Sequence, residues 1–298
     1  MKKFFTILIV MIMAGRTFAG DLEPVDSPLL KKYGTFCKAT YQTGKEVRRL
    51  GEAQHYTLSQ NGNIPQMKVS YFLLTNNESR KQVIAVRGTS NMENALVDIA
   101  LKLKMNEKVG IRLHTGFSQA AEKIYQQIQP LLKPGYAIST TGHSLGGAVA
   151  LILAMYLDVD DYDISRVVTF GQPKVTNIAG AGKFDHLSVT RVVMPRDLVP
   201  LVPPLDAMDI NDLDIYWHLG KEVILLENID YAVLEGLNSM LRATRFTQEQ
   251  LTKKNLRHHQ ITEYLTMLDK KIPEAKQVSY ENSFNLFNLF DDAPQSEN

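Results

Sequence analysis

The sequence predicts an α/β protein whose mostly parallel central sheet is covered by helices on both faces. Three observations carry this. Short β-branched apolar runs recur along the chain, segments with helical spacing separate them, and one stretch, LGGAVALILAMYL (145–157), is apolar almost all round, as a buried helix is. Sheets of this kind place their chemistry at the carboxyl ends of the strands.

Each element has its own signal. LLKKYGTFCKATY (29–41) reads as an amphipathic helix. KVSYFLL (68–74) alternates like a half-buried strand, and QVIAVRG (82–88) is a strand ending in glycine. FSQAAEKIYQQIQPLL (117–132) sets Phe117, Ala120, Ala121, Ile124, Tyr125, Ile128, Leu131 and Leu132 at helical spacing, and Pro134-Gly135 stops it. YAISTT (136–141) reads as a strand leading into the helix at 145–157. RVVTFG (166–171), TRVVM (190–194) and EVILL (222–226) are short β-branched strands. The stretches 230–243 and 258–269 have helical spacing.

The 298 residues suit one large domain, with 44% apolar and 22% charged residues, an ordinary globular composition. Residues 1–19 read as a signal peptide: Lys2 and Lys3, an apolar run Phe4–Ala14, then Thr17-Phe18-Ala19 as a cleavage site, which implies export. The domain then spans 20–270 and a tail spans 271–298. Without the leader the chain has 30 Lys+Arg against 32 Asp+Glu and no basic stripe, so nucleic acid is a poor partner. The single cysteine, Cys37, can form no internal disulfide and is expected as a packed thiol.

Chemistry concentrates at GHSLG (142–146), a G-x-S-x-G motif between a strand ending at Thr141 and a helix starting at Leu145. The turn is sharp, and a Cβ at either flanking position would crowd it. Ser144 is thereby presented outward, with a helix N-terminus behind it to favour negative charge. A serine hydroxyl needs a base, and the base needs an orienting carboxylate. In folds built on this elbow, the acid and then the base follow the serine along the chain. Asp197 lies three residues past the strand 190–194, in a loop stiffened by Pro195, Pro200, Pro203 and Pro204. Asp206 and Asp209 are alternatives further along, whereas Asp185 precedes the strand. His186 also precedes it, and His218 has the position of a structural link between loop and sheet. That leaves His258 and His259 as candidate bases.

These blocks resemble the class 3 lipase family, the fungal-type triacylglycerol lipases with their bacterial and plant relatives. The resemblance covers roughly residues 65–265: VIAVRGTSN (83–91), DIALK (98–102), RLHTGF (112–117), TTGHSLGGAVALILA (140–154), VVTFGQPKV (167–175), RVVMPRDLVPLVPP (191–204), WHLGKEVILL (217–226) and HHQITEYL (258–265). It implies the α/β-hydrolase fold, with Ser144 as nucleophile and Asp197 as acid. It also implies oxyanion donors at the backbone N–H groups of Thr89, in RGTSN, and Leu145. Relatives end with His, four residues, Tyr and an apolar residue, which His259, Tyr264 and Leu265 fit; His258 stands where relatives often have Asp or another polar residue, either capping the following helix or facing solvent.

The implied activity is hydrolysis of lipid carboxylic esters through an acyl-enzyme, at a lipid–water interface, without metal or organic cofactor. A phospholipase A1 or acyltransferase on the same fold is the alternative, as is a catalytically dead lipid-binding effector. DVDDYD (158–163) and DAMDINDLD (206–214) lack the glycine and terminal glutamate of a calcium loop and read as solvated. The segment 91–105 follows the oxyanion loop, where the family's lid lies; 228–245 is another candidate cover, and the tail 283–298 carries Phe284, Phe287 and Phe290.

Overall fold

A computed structural model describes residues 24–88, 103–203, 215–243 and 253–280. The expected leader, Thr89, most of the 91–105 segment, Asp206, Asp209 and the phenylalanine-containing tail lie outside the described residues.

The chain opens with helices α1 (Ser27–Ala39) and α2 (Gly44–Ala53). The Asp26 side chain caps α1 by accepting from Leu29 N, and Thr43 with Glu46 forms a reciprocal capping box on α2. The strands β1 (Thr57–Ile64), β2 (Val69–Asn76) and β3 (Lys81–Val86) follow as an antiparallel meander. Next come β4 (Leu103–Asn106), β5 (Ile111–His114), α3 (Thr115–Ile128), β6 (Ala137–His143), α4 (Leu145–Val159) and β7 (Ile164–Phe170). β8 (Thr176–Asn177), α5 (Ile178–Lys183), β9 (Val189–Val193), β10 (Tyr216–Trp217) and β11 (Lys221–Leu225) come after these. The described chain closes with β12 (Asp230–Leu234), α6 (Gly236–Ala243), α7 (Lys253–His258), α8 (Ile261–Asp269) and β13 (Lys276–Gln277).

Nine of these strands form one sheet in the order β1-β2-β3-β6-β7-β9-β11-β12-β13. The five central strands β3, β6, β7, β9 and β11 are mutually parallel. A smaller antiparallel sheet, β10-β8-β5-β4, stands apart. Side chains of the central strands alternate between two cores. Leu73, Ile84, Val86 and Val167 pack on one face against α3 and α4, with Ile124 and Leu151. Phe72, Leu74, Val83, Ala85 and Val168 pack on the other against α1 and α8, with Phe36 and Tyr264. Both faces are dry, so these strands read as nearly continuous apolar runs. Each fully buried side chain of this size contributes about 1.5–3 kcal/mol of transfer free energy.

Register aligns the carboxyl ends. His143 of β6 lies opposite Phe170 of β7, and Phe170 opposite Val192 of β9. The residues that follow these three strands therefore meet at one rim.

Two expectations are corrected. The stretch 230–243 is not one helix: Asp230–Leu234 is β12, antiparallel to β11 across a turn in which Asn228 takes φ 52°. β11 would otherwise leave a row of unpaired backbone groups, and pairing outweighs helical spacing over five residues. Only Gly236–Ala243 is helical there. The stretch 258–269 also divides. α7 ends at His258, Gln260 is extended (φ −68°, ψ 134°), and α8 begins at Ile261, so His259 sits in the break. Within the expected tail, β13 adds a last short strand beside β12, and buried Lys271 donates to the carbonyls of Leu226 and Asn228 at 2.8 Å.

Candidate active site

The rim is built from Ser144 upward. Ser144 joins β6 to α4 with φ 59° and ψ −133°, a strained conformation for a residue with a Cβ. Its N–H donates to Phe170 O at 2.8 Å, tying the elbow to the next strand. The flanking glycines are sterically required: a Cβ on Gly142 would lie 2.2 Å from Gly146 O, and one on Gly146 would lie 2.3 Å from Val86 O. Leu145, half-buried, is the first residue of α4, where backbone N–H groups have no intrahelical acceptor. Its N–H and the helix dipole favour negative charge beside the serine. Thr89 lies outside the described residues; Gly88, the residue before it, stands close to the serine, since a Cβ on it would lie 2.9 Å from Ser144 Cβ.

Asp197 follows β9 and is fully buried. Its Oδ1 accepts from Val199 N at 2.9 Å, and its Oδ2 accepts from His259 Nδ1 at 2.7 Å and Tyr264 Oη at 2.5 Å. Burial pushes the carboxyl up; the charge of His259 and these three hydrogen bonds outweigh it and hold the group below its ordinary range. The loop itself is pinned. Lys174 Nζ donates to Leu201 O and Pro203 O at 2.6 Å, and His218 Nε2 donates to Pro200 O at 2.7 Å. Asn255 Nδ2 donates to Arg196 O at 2.9 Å. His218 thus makes the structural link between loop and sheet that its position suggested.

His259 is buried, in the break between α7 and α8. An ionised carboxylate only accepts, so Nδ1 is the donor to Asp197 and a neutral ring carries its lone pair on Nε2. Among the described residues Nε2 has no hydrogen-bond partner. Gly171, just past β7, makes room for the pair: with φ 58°, its Cβ would lie 2.8 Å from both Asp197 Oδ2 and His259 Cε1. The rings of His143 and His259 are 4.6 Å apart. His258, expected either to cap the start of the following helix or to face solvent, instead ends α7 half-buried, because that helix begins three residues later. His186 is exposed and approaches Asp158 at 3.0 Å.

The structure therefore brings Asp197 and His259 together, beside the elbow that carries Ser144 and Leu145. Three further residues belong to this rim. Gly171 and Lys174 lie in GQPKV but show no chemical role in one dimension. Tyr41, whose hydroxyl is 2.9 Å from His143 Nδ1, had no signal at all.

The chain is similar to known lipases. Residues 83–207 match the family described as lipase (class 3). Over 176 residues the chain is 32% identical to the secreted mono- and diacylglycerol lipase 1 of Fusarium solani, covering 56% of this chain and 51% of that protein. Over 146 residues it is 30% identical to a lipase of Rhizopus niveus, covering 45% of this chain and 37% of that protein. The chain thus spans about half the length, or less, of these relatives. A lipase structure from Yarrowia lipolytica superposes with a TM-score of 0.58 at 25% identity, covering 70% of this chain and 81% of that one. Residues 83–207 thus carry the class 3 lipase match, and the elbow, the parallel sheet and the superposition give the chain the α/β-hydrolase fold.

Proposed function

We propose that the protein is an exported serine hydrolase that cleaves carboxylic esters of lipids, acylglycerols first among them. The observation that carries this is the buried Asp197–His259 pair, whose Nε2 has no partner among the described residues, at the rim that also bears the strained Ser144.

The reaction follows from these groups. His259 Nε2 takes the proton of Ser144 as its Oγ bonds to the ester carbonyl carbon. The carbonyl oxygen becomes an oxyanion, received by the N–H of Leu145 and that of Thr89, each worth about 3 kcal/mol in comparable sites. Asp197, kept ionised, stabilises the imidazolium that forms. The C–O bond then breaks, the alcohol leaves with the proton from Nε2, and an acyl-enzyme remains on Ser144. Water attacks it with the same base, releasing the fatty acid and restoring the serine. The name of the Fusarium relative favours acylglycerols as the substrate class. Export rests on residues 1–19, with Gly20 as the expected mature N-terminus.

A fluorophosphonate probe tests the nucleophile. Wild type is expected to be labelled and Ser144→Ala not; labelling retained in the variant overturns the assignment. A panel of short-acyl, long-acyl and phospholipid esters then sets the class, and preferred release from phospholipids would replace acylglycerols with phospholipase chemistry.

A further inference from the structure

Asp197 fixes only one atom of the base. A ring held by a single hydrogen bond at Nδ1 can still swing about it, and a swing moves Nε2 away from the serine. The backbone of His259 lies in a helix break, where its N–H still joins the ladder of α7 but its carbonyl does not. Something else must set where this residue sits.

Two contacts on its main chain do so. His259 N–H donates to Asn255 O at 3.1 Å. His259 O lies 2.6 Å from His143 Nε2. A carbonyl only accepts, so His143 Nε2 carries the hydrogen and its Nδ1 carries the lone pair. Tyr41 Oη, 2.9 Å from that Nδ1, must therefore be the donor. The tautomer of His143 follows from its partners alone. Its charge state agrees: burial, followed by the nearby charge of His259, lowers its pKa to about 3, so the ring stays neutral across the working range. Burial first, then the neighbouring Cys37, pushes the Tyr41 hydroxyl up, so it keeps its proton.

The chain of contacts begins on a firm element. Tyr41 follows α1, whose end is held by Thr40 Oγ1 donating to Cys37 O at 2.7 Å. α1 packs with α8 in one core cluster, through Phe36, Tyr264 and Leu268. Tyr41 also stands beside the loop after β3, where a Cβ on Gly88 would lie 3.2 Å from its hydroxyl.

We infer that Tyr41 and His143 are positioning residues, forming a hydroxyl–imidazole–carbonyl chain that runs from the end of α1 to the backbone of His259 and fixes its placement. The inference rests on His259 acting as the base of Ser144. His143 is thus more than a spacer in the elbow: it ties the nucleophile's own strand to the base. Near a reacting centre, a displacement of about 1 Å can cost on the order of 100-fold in rate.

The test is a double-mutant cycle on the full chain with a soluble ester substrate. Tyr41→Phe is expected to lower kcat roughly tenfold, with KM within about twofold and an unchanged melting temperature. His143→Gln keeps an N–H for the His259 carbonyl and an amide oxygen that can accept from Tyr41, whereas His143→Phe has neither. It is expected to retain more activity than His143→Phe. In the His143→Phe background, Tyr41→Phe is expected to have no further effect, because the chain is already cut. Wild-type kcat in Tyr41→Phe overturns the inference. So does a fall in melting temperature that accounts for the loss, or full additivity of the two changes, which would put Tyr41 to work on the Gly88 loop instead. Ser144→Ala and His259→Ala are measured alongside. Activity surviving in either sinks the underlying catalytic reading, whereas their inactivity beside a fully active Tyr41→Phe sinks only this inference.

Discussion

Tyr264 Oη donates to Asp197 Oδ2, the same oxygen that accepts from His259 Nδ1. The tyrosine in HHQITEYL (258–265) is therefore a partner of Asp197. Tyr264→Phe removes one of three donors to a buried carboxylate. Hydrogen bonds to charged groups contribute about 1.5–3 kcal/mol, so unfolding free energy at neutral pH should fall by about 2 kcal/mol. The folded carboxyl lies below its ordinary range, so its stabilisation is full above about pH 5 and is lost as pH falls through the folded value. The variant holds the carboxylate less tightly and should lose stability at a higher pH than wild type. Urea titrations at several acid pH values read this, and coincident acid limbs would remove Tyr264 from the account.

His259 and His258 are adjacent but differently placed: one buried against Asp197, the other half-buried at the end of α7. Loss of a triad base costs about 10⁴- to 10⁶-fold in kcat in comparable enzymes. His259→Ala should lose activity on that scale while His258→Ala keeps most of it. Initial rates on one ester decide it, and the reverse ranking would move the base by one position.

Gly171 carries two constraints that can be separated. Its φ of 58° disfavours a side chain, and its Cβ would strike Asp197 Oδ2 and His259 Cε1 at 2.8 Å. Gly236 has a similar φ of 50° with nothing within 4 Å of its Cβ position. Both alanine variants should lose about 1–2 kcal/mol from backbone strain. Only Gly171→Ala should also lose activity, on the order of 100-fold. Equal kcat in the two variants would show that the pair tolerates a methyl group at this point.

What could be read in one dimension had local causes. GHSLG is legible because the crowding at Gly142 is set by Gly146 four residues on, whereas Gly146 is crowded by Val86 O on the neighbouring strand. Asp197 stands out because a carboxylate shortly after a strand end has few other places to point. The antiparallel start was harder: TLSQNGNI, which forms β1, is mostly polar, so its alternation of exposed and half-buried positions has no apolar counterpart in the sequence. β12 hid behind helical spacing because its pairing partner, not its own composition, decides its state. Tyr41 was invisible, since its contact with His143 spans 102 residues and depends on how α1 lies over the sheet.

Lys174 offers a pH signature for the loop that carries Asp197. Its ammonium is fully buried and donates to the carbonyls of Leu201 and Pro203. Burial, followed by the charges of Arg191 and Arg242, lowers its pKa to about 7, against the pull of Glu222. Above pH 7 the folded amine is neutral, while the unfolded chain keeps its proton to about pH 10.4. The unfolded state then binds more protons, so this group makes stability rise with pH across that window. Below pH 7 both states hold the proton and its contribution is flat. Lys174→Met lacks the titration, so wild type should gain stability relative to the variant between about pH 7 and pH 10. Unfolding free energies at four pH values in that window test it. A gap that stays constant, or narrows, would show that the two carbonyls keep Lys174 charged despite its burial.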